Sequence, residues 1–238
     1  MPSFLLTRPA LAADRFARSL RARFGAEIRI HVSPLLAPKL LAPPLPAGPF
    51  RAVVFTSETG VAGFRQVSAD TGLPAWCVGD RTAAAAREAG FETRSAAGDL
   101  AALVEAIRRA GATGPFLYAR GRETAGSLAN ALKELYIPVE EMVVYEQQAR
   151  PLTPEATALL ADDRPVLAPL FSPRTATLFC AEPPVQWRRA PLLVAALSPA
   201  VAAACTAAQA QQTVCAARPD AESMLDAIAS LLATATQP

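Results

Sequence analysis

Short apolar segments alternate with alanine-rich, amphipathic segments along almost the whole chain, and this alternation limits the folds that the chain can adopt. The apolar runs 4–7 and 51–55 predict buried strands, whereas 10–24, with Phe16 and Leu20 on one face, predicts a helix. Strands that alternate with helices in this way form parallel sheets covered by helices. The sequence therefore predicts an α/β protein with doubly wound parallel sheets.

One segment, 78–91, carries both the start and the end signals of a short helix. Gly79 permits a tight turn after a strand, and Asp80 or Thr82 can cap the helix by accepting from free backbone N–H groups. Gly90 suits the position just past the helix end. A helix that starts directly after a strand can bind an anion, although it is also a common feature of α/β packing.

Two irregular segments interrupt the alternation. Residues 34–49 are dense in proline, so no regular element is expected there, and a second break lies at 147–154. We interpret the two breaks as two crossings of the chain between lobes, which would leave one lobe discontinuous. Two consecutive halves that divide near Pro151 are the simpler alternative, and the pattern does not separate the two arrangements.

The double crossing predicts a definite division of the chain. The expected parts are a first lobe of residues 1–33 plus 152–238, a second lobe of residues 36–145, and linkers at 34–35 and 146–151.

Composition is that of a globular protein with a large core, since 52% of the residues are hydrophobic and 18% are charged. The net charge of +2 is too small to indicate nucleic-acid binding. The sequence shows no signal-peptide pattern and no apolar run long enough to span a membrane, so we expect a cytoplasmic protein with no membrane partner. The four cysteines lack metal-ligand spacing and are expected to be free, buried thiols.

Common signatures of nucleotide binding and hydrolysis are missing from the sequence. It has neither the phosphate-loop pattern nor Gly-x-Gly-x-x-Gly, and no Gly-x-Ser-x-Gly turn. The only histidine, His31, lies at the end of a predicted strand, where a structural role is favoured. Catalysis by a Ser–His or Cys–His pair is therefore not favoured.

Polar groups fall instead at the carboxyl ends of predicted strands, where open α/β sheets bind ligands. Hydroxyls, guanidinium groups and backbone N–H groups of this kind suit several dispersed carboxylates better than one phosphate. Each hydroxyl could equally be an ordinary helix N-cap. The candidate substrate-binding residues are Arg8, Thr56, Ser57, Thr82, Arg120, Gly121, Arg122, Ser172 and Ser198.

Tyr145 is the single candidate for a catalytic role. It is expected to end a strand beside the second crossing, and a phenol can donate a proton or a hydrogen bond. The alternative is a packing residue with a hydrated hydroxyl, which is common for tyrosine.

Five short motifs follow one another in an order that resembles the uroporphyrinogen-III synthase family, and together they span nearly the whole chain. The motifs are Thr7-Arg8-Pro9, Phe55-Thr56-Ser57, Val78 to Ala83, Val144-Tyr145 and Phe171-Ser172-Pro173.

The resemblance implies two flavodoxin-like lobes, joined by two linker strands, with a cleft between them. It implies an enzyme, a cyclising hydro-lyase that converts hydroxymethylbilane to uroporphyrinogen III with inversion of ring D and loss of water, in haem biosynthesis. No cofactor or metal is implied. The acetate and propionate groups of that substrate match the dispersed anion sites, and Tyr145 would assist departure of the substrate hydroxyl. A monomer that receives its substrate by transient hand-over from hydroxymethylbilane synthase is expected.

The sequence departs from the family pattern in two places. Ser198-Pro199-Ala200 stands where relatives often carry Gly-x-x-Thr, and Tyr136 stands where relatives tend to have the glycine that ends a helix. The alternative from another class is a two-lobe binding or sensor module that closes on a small polycarboxylate without chemistry. Tyr145 distinguishes the two, because a binding module needs no acid there.

Overall fold

The computed structural model describes residues 1–123 and 126–234. Contacts divide the chain into two compact units. The first unit contains Met1–Ala37 together with the chain from Gln148 onward, and the second contains Pro38–Gln147. The chain therefore passes between the units twice, and the first unit is discontinuous. No helix in the described ranges is both long and apolar enough to cross a membrane.

Helices and strands alternate along most of the chain, as predicted. Up to the end of the second unit they are β1 (Ser3–Leu6), α1 (Ala10–Phe24), β2 (Ile30–Val32), β3 (Leu36–Leu40), β4 (Ala52–Phe55), α2 (Glu58–Val67), β5 (Ala75–Cys77), α3 (Asp80–Glu88), β6 (Thr93–Ser95), α4 (Leu100–Arg109), β7 (Phe116–Gly121), α5 (Leu128–Glu134) and β8 (Val139–Ala149). The remainder are α6 (Pro154–Ala161), β9 (Val166–Leu170), α7 (Pro173–Ala181), α8 (Pro183–Gln186), β10 (Leu192–Ala196), α9 (Pro199–Ala204), a 3₁₀ turn (Thr206–Ala208), β11 (Gln212–Cys215) and α10 (Ala221–Thr234).

The first unit is built on a parallel sheet of five strands in the order β2-β1-β9-β10-β11. Counted within the unit, this is the flavodoxin-like order 2-1-3-4-5. Successive residues of β1 face opposite helix layers, because side chains alternate along a strand. Leu5 packs in one core cluster with Leu160, while Phe4 packs in another with Phe16 and Met224. The predicted doubly wound sheet is confirmed.

The second unit contains six strands in the order β6-β5-β4-β7-β8-β3. The five strands from β6 to β8 run parallel. Counted from β4 they follow the order 3-2-1-4-5, which is that of the first five strands of the Rossmann fold rather than that of flavodoxin. The order differs from that of the first unit because β5 and β6 both lie on one side of β4, and the chain then crosses to place β7 on the other side of β4. Both units are nevertheless doubly wound.

The proline-rich segment contains a strand that the sequence analysis did not predict. β3 lies within residues 34–49 and pairs with β8 at the edge of the second sheet. An edge strand tolerates a proline such as Pro38, because the missing N–H is not needed by a further strand. β8 likewise continues to Ala149, into the predicted break at 147–154.

Two backbone hydrogen bonds show that these strands run antiparallel. The Leu41 N–H donates to the Val144 carbonyl at 2.8 Å, and the Arg150 N–H donates to the Leu35 carbonyl at 3.0 Å. Leu35, which the sequence analysis placed in a linker, is fully buried in the core of the first unit.

The helix of segment 78–91 begins differently from the prediction. α3 starts at Asp80 with Gly79 as its N-cap, and neither Asp80 nor Thr82 caps it. The Asp80 carboxylate instead accepts a hydrogen bond from the Ser95 hydroxyl at 2.7 Å. The capping prediction was wrong because β5 ends at Cys77, so that Asp80 and Thr82 already lie within the first turn. The predicted role of Gly90 is confirmed, since its φ is +98°.

The helix α5 ends in the same kind of turn, with tyrosine in the position that glycine usually holds. Tyr136 has φ +58°. Its N–H donates to the Lys133 carbonyl, and the Ile137 N–H donates to the Leu132 carbonyl, both at 3.0 Å. These two bonds define a Schellman motif. Tyr136 is 94% exposed, so few side-chain contacts offset the cost of its left-handed backbone.

Tyr136→Gly is therefore expected to stabilise the protein by about 1 kcal/mol, because glycine adopts positive φ without steric cost. Tyr136→Ala is the matched control, since it removes the same ring but keeps the strained backbone. Thermal unfolding of the two variants checks the prediction. Equal melting temperatures for the two would contradict the argument from backbone strain.

The pattern of residues 123–135 predicts a helix over that whole range. In the structure α5 starts only at Leu128, after Ser127 as N-cap. Part of the predicted first turn, residues 124 and 125, lies outside the described residues.

The four cysteines are free thiols, as predicted. Cys77, Cys180 and Cys205 are buried, but the prediction of burial was wrong for Cys215, which is exposed at the end of the edge strand β11. Burial raises the pKa of the Cys77 thiol to about 11.

Candidate active site

In the second sheet, successive strands are added on one side of β4 and then on the other, so the strand order reverses between β4 and β7. Open α/β sheets bind ligands beside the carboxyl ends of the strands at such a switch point. A pocket of about 280 Å³ lies there, entirely within the second unit. Its lining residues are Thr56, Ser57, Val78, Leu100, Tyr118, Gly121, Glu123, Gly126 and Tyr145.

Two pairs of hydroxyl groups lie in this pocket. The Thr56 Oγ1 is 2.9 Å from the Tyr118 Oη, and the Ser57 Oγ is 3.1 Å from the Tyr145 Oη. Thr56 and Ser57 directly follow β4, whereas the tyrosines come from β7 and β8. The tyrosines pack with different helix layers, Tyr118 with one core cluster and Tyr145 with the other. The end of β4 thus brings together hydroxyls from both faces of the sheet.

Tyr145 lies inside β8, not at its end as the sequence analysis predicted, because pairing with β3 extends the strand. Its ring lies against the backbone of Gly121. A Cβ at Gly121 would be 2.6 Å from Tyr145 Cζ and 2.9 Å from its Oη, which is closer than such atoms approach. The register of β7 against β8 shifts between Arg120 and Gly121, and this irregularity places Gly121 opposite Tyr145.

Ser57 has a second role in the same place. It is the N-cap of α2, and its Oγ accepts a hydrogen bond from the Gly60 N–H at 3.0 Å. One oxygen atom therefore contacts both the start of a ten-residue helix and the phenol of Tyr145.

The two arginines beside Gly121 form ion pairs with carboxylates of the protein. The Arg120 Nε lies 2.9 Å from Glu141 Oε1, and its Nη1 donates to the carbonyls of Gly121 and Arg122. The Arg122 Nε lies 3.0 Å from Glu146 Oε2. Neither arginine is among the residues that line the pocket, although both were predicted to bind substrate.

The pocket lining differs from the predicted set at Thr82 and Tyr118. Thr82 was predicted to bind substrate, but it is 5% exposed and does not line the pocket. Tyr118 was missed, because a tyrosine inside the apolar run of β7 gives no signal that distinguishes it from a core residue. Burial raises the pKa of the Tyr118 phenol above its usual value, and the hydrogen bond with Thr56 opposes part of this rise.

The remaining predicted residues lie at the carboxyl edge of the first sheet. Arg8 follows β1, and its guanidinium stacks on the ring of Phe171, 3.8 Å from the centroid. Ser172 is the N-cap of α7 and Ser198 is the N-cap of α9, each accepting from a backbone N–H three residues on. Both hydroxyls serve as helix N-caps, and the Ser172 O–H also donates to the Thr175 Oγ1 at 2.9 Å. Thr7, beside Arg8, is fully buried with an Oγ1 that has no hydrogen-bond partner in the described part of the chain.

The described residues contain no group of three or more histidine, cysteine, aspartate or glutamate side chains that could hold a metal ion. The donors and acceptors available in the pocket are hydroxyls, backbone groups and the Glu123 carboxylate. Such a set can bind a polar ligand and move a proton between hydroxyls.

The chain is similar to solved structures of uroporphyrinogen-III synthases. The enzyme from Helicobacter pylori superposes with a TM-score of 0.63 at 19% identity, covering 97% of this chain and 100% of that one. A mutant of the enzyme from Thermus thermophilus aligns over 98% of this chain and 100% of that one at 14% identity, with a TM-score of 0.49. No curated protein sequence gave a significant match.

The first of these similarities defines the class of protein by its fold: a two-unit, doubly wound α/β protein of the uroporphyrinogen-III synthase type. The family model described as uroporphyrinogen-III synthase HemD matches residues 28–226. The chain belongs to the uroporphyrinogen-III synthase family, whose members are cyclising lyases of tetrapyrrole and haem biosynthesis that act on hydroxymethylbilane.

Proposed function

We propose that the pocket at the ends of β4 and β7 is where the hydroxymethyl group of hydroxymethylbilane departs, and that Tyr145 donates the proton. The observation that carries this proposal is the position of the Tyr145 hydroxyl. It lies in a pocket where the strand order of the sheet reverses, and it is hydrogen-bonded to Ser57. A protonated phenol can act as a general acid without a histidine.

The reaction begins when the Tyr145 proton passes to the oxygen of the hydroxymethyl group. The carbon–oxygen bond breaks, water leaves, and an azafulvene cation remains on the ring that carried the hydroxymethyl group. The substituted α-carbon of ring D, at the other end of the chain, attacks this cation, the resulting spiro intermediate fragments, and the macrocycle closes with ring D reversed. The proton lost from carbon in the closing step restores the phenol, so that the net change is the loss of one water.

Positioning supplies much of the rest of the catalysis, because a flexible linear tetrapyrrole must be held so that the correct carbon is attacked. We propose that the substrate carboxylates are held by the groups predicted from the sequence. In the second unit these are Thr56, Ser57, Thr82, Arg120, Gly121 and Arg122, and in the first they are Arg8, Ser172 and Ser198. Their support is the location of most of them beside the carboxyl ends of strands.

We further propose that the protein acts as a monomer and receives hydroxymethylbilane by transient hand-over from hydroxymethylbilane synthase. The support is chemical. Hydroxymethylbilane closes to the uninverted isomer I without an enzyme, so a short diffusion path limits this loss. The cytoplasmic location stays a prediction from the sequence.

Tyr145→Phe is expected to lower kcat about 10- to 100-fold without abolishing turnover, because one general acid contributes about this much and the hydroxymethyl group leaves readily. Steady-state kinetics with hydroxymethylbilane, with isomers I and III separated, measure the effect. The affinity for uroporphyrinogen III is expected to remain close to that of the wild type. A variant with the full wild-type kcat would remove Tyr145 from the mechanism.

A further inference from the structure

We propose that Ser57 is a positioning residue that sets the direction of the Tyr145 proton. The Ser57 hydroxyl donates to Tyr145 Oη, so that the phenol O–H is left to point into the pocket. This inference rests on the proposed role of Tyr145, and it changes the role of Ser57 from binding a substrate carboxylate to orienting the acid.

The number of donors and acceptors at Ser57 supports this direction. A serine hydroxyl has one donor and two acceptor positions. One acceptor position is used by the Gly60 N–H at 3.0 Å, and the Tyr145 Oη lies 3.1 Å away. If Ser57 donates to Tyr145, the phenol keeps its own proton for the ligand. The opposite direction would direct that proton at the helix cap, where no substrate can take it.

The same arrangement stabilises the product of the proton transfer. Once Tyr145 has given up its proton, the Ser57 O–H donates to a phenolate, and hydrogen bonds to charged acceptors are shorter and stronger than neutral ones. Ser57 in turn accepts from a backbone N–H at the start of the ten-residue helix α2. The positive end of the helix dipole therefore lies behind the hydroxyl that supports the developing negative charge.

The neighbouring hydroxyl pair lacks these features, which explains why Tyr145 and not Tyr118 serves as the acid. Thr56 contacts Tyr118 but does not cap a helix. Tyr118 is only 2% exposed, whereas Tyr145 is half-buried and lies against a glycine that leaves room for its ring.

A double-mutant cycle tests the inference. Ser57→Ala is expected to lower kcat by about the same factor as Tyr145→Phe, on the order of 10-fold or more, with KM changed far less. Adding Ser57→Ala to Tyr145→Phe is expected to lower kcat by less than about 2-fold, because groups that act as one unit are not additive. Ser57→Thr keeps both the cap and the hydroxyl, and it is expected to recover most of the rate.

Ser127→Ala is the matched control for the loss of a cap. Ser127 caps α5 in the same unit, accepting from the Asn130 N–H at 3.2 Å, and it does not line the pocket. This variant is expected to keep kcat within about 2-fold of wild type, because Ser127 is exposed and makes no contact with Tyr145 through its cap hydrogen bond. Should Ser57→Ala fail to fold, Ser57→Gly replaces it, because glycine is nearly as good an N-cap.

The outcomes separate this inference from the proposed function. Equal losses from Ser57→Ala in the wild-type and Tyr145→Phe backgrounds would overturn the positioning role while leaving Tyr145 as the acid. A rise in KM with unchanged kcat would also overturn it, and would return Ser57 to substrate binding. Full activity of Tyr145→Phe would instead refute the proposed function on which the inference depends.

Discussion

Gly121→Ala is expected to lower kcat about 10- to 100-fold, as much as Tyr145→Phe, because the added Cβ cannot coexist with the ring of Tyr145. The Cβ would lie 2.6 Å from Cζ, 2.8 Å from Cε2 and 2.9 Å from Oη of that ring. Gly121 lies in β7 and cannot withdraw far without breaking the sheet, so the ring must move and its hydroxyl leaves Ser57. A displacement of about 1 Å at a reacting group can cost about 100-fold in rate.

Gly79→Ala provides the control for this substitution. Gly79 caps α3 next to a pocket residue, and its φ of −156° is accessible to alanine. A Cβ there would meet only the Gly98 carbonyl, at an ordinary 3.7 Å. Single-turnover and steady-state rates of both variants measure the difference. A Gly121→Ala enzyme that stays folded and turns over as fast as the Gly79→Ala enzyme would show that Tyr145 does not need its present position.

Gly63→Ala is expected to destabilise the second unit by about 3 kcal/mol, the upper end of what overpacking costs. Gly63 lies in α2, and its Cβ would be 2.6 Å from the carbonyl oxygen and 2.9 Å from the Cβ of Val144. α2 therefore packs directly onto the backbone of β8. In an exposed helix the same substitution would stabilise by about 1 kcal/mol, so the expected sign is opposite to that of helix propensity.

Thermal unfolding measures this effect. A loss of about 3 kcal/mol corresponds to a fall of about 6–12 °C in the melting temperature for a chain of this size. A melting temperature equal to or above that of the wild type would contradict the close packing of α2 on β8. Because Ser57 caps α2 and Val144 precedes Tyr145, the same contact joins the two elements that hold the hydroxyl pair.

The class of fold could be predicted from the sequence because each strand and helix carries its own local signal. The segment 10–24 has the apolar spacing of a helix, and the helix occupies those residues. β3 could not be predicted in this way. Pro38 within it opposes strand formation locally, and the strand exists because β8, distant in the sequence, pairs with it. The strand order of the second sheet is also set by packing between distant segments, which local patterns do not encode.

The site was predictable in part, for similar reasons. Thr56, Ser57, Gly121 and Tyr145 were each singled out from the sequence, and the structure brings these four residues into one pocket. The hydrogen bond between Ser57 and Tyr145 could not be predicted, because it joins the turn after β4 to β8, which the order of the sheet brings together. Tyr118 was missed because its hydroxyl lies within an apolar run. No local pattern indicates that Arg120 pairs with Glu141, which lies on a different strand.

The product formed from hydroxymethylbilane by the purified protein tests the central claim most directly. We expect uroporphyrinogen III, formed faster than the spontaneous closure and in preference to isomer I, with the excess of isomer III reduced in Tyr145→Phe. Isomer I alone, appearing at the rate seen without protein, would contradict this claim and would favour a module that binds a polycarboxylate without chemistry.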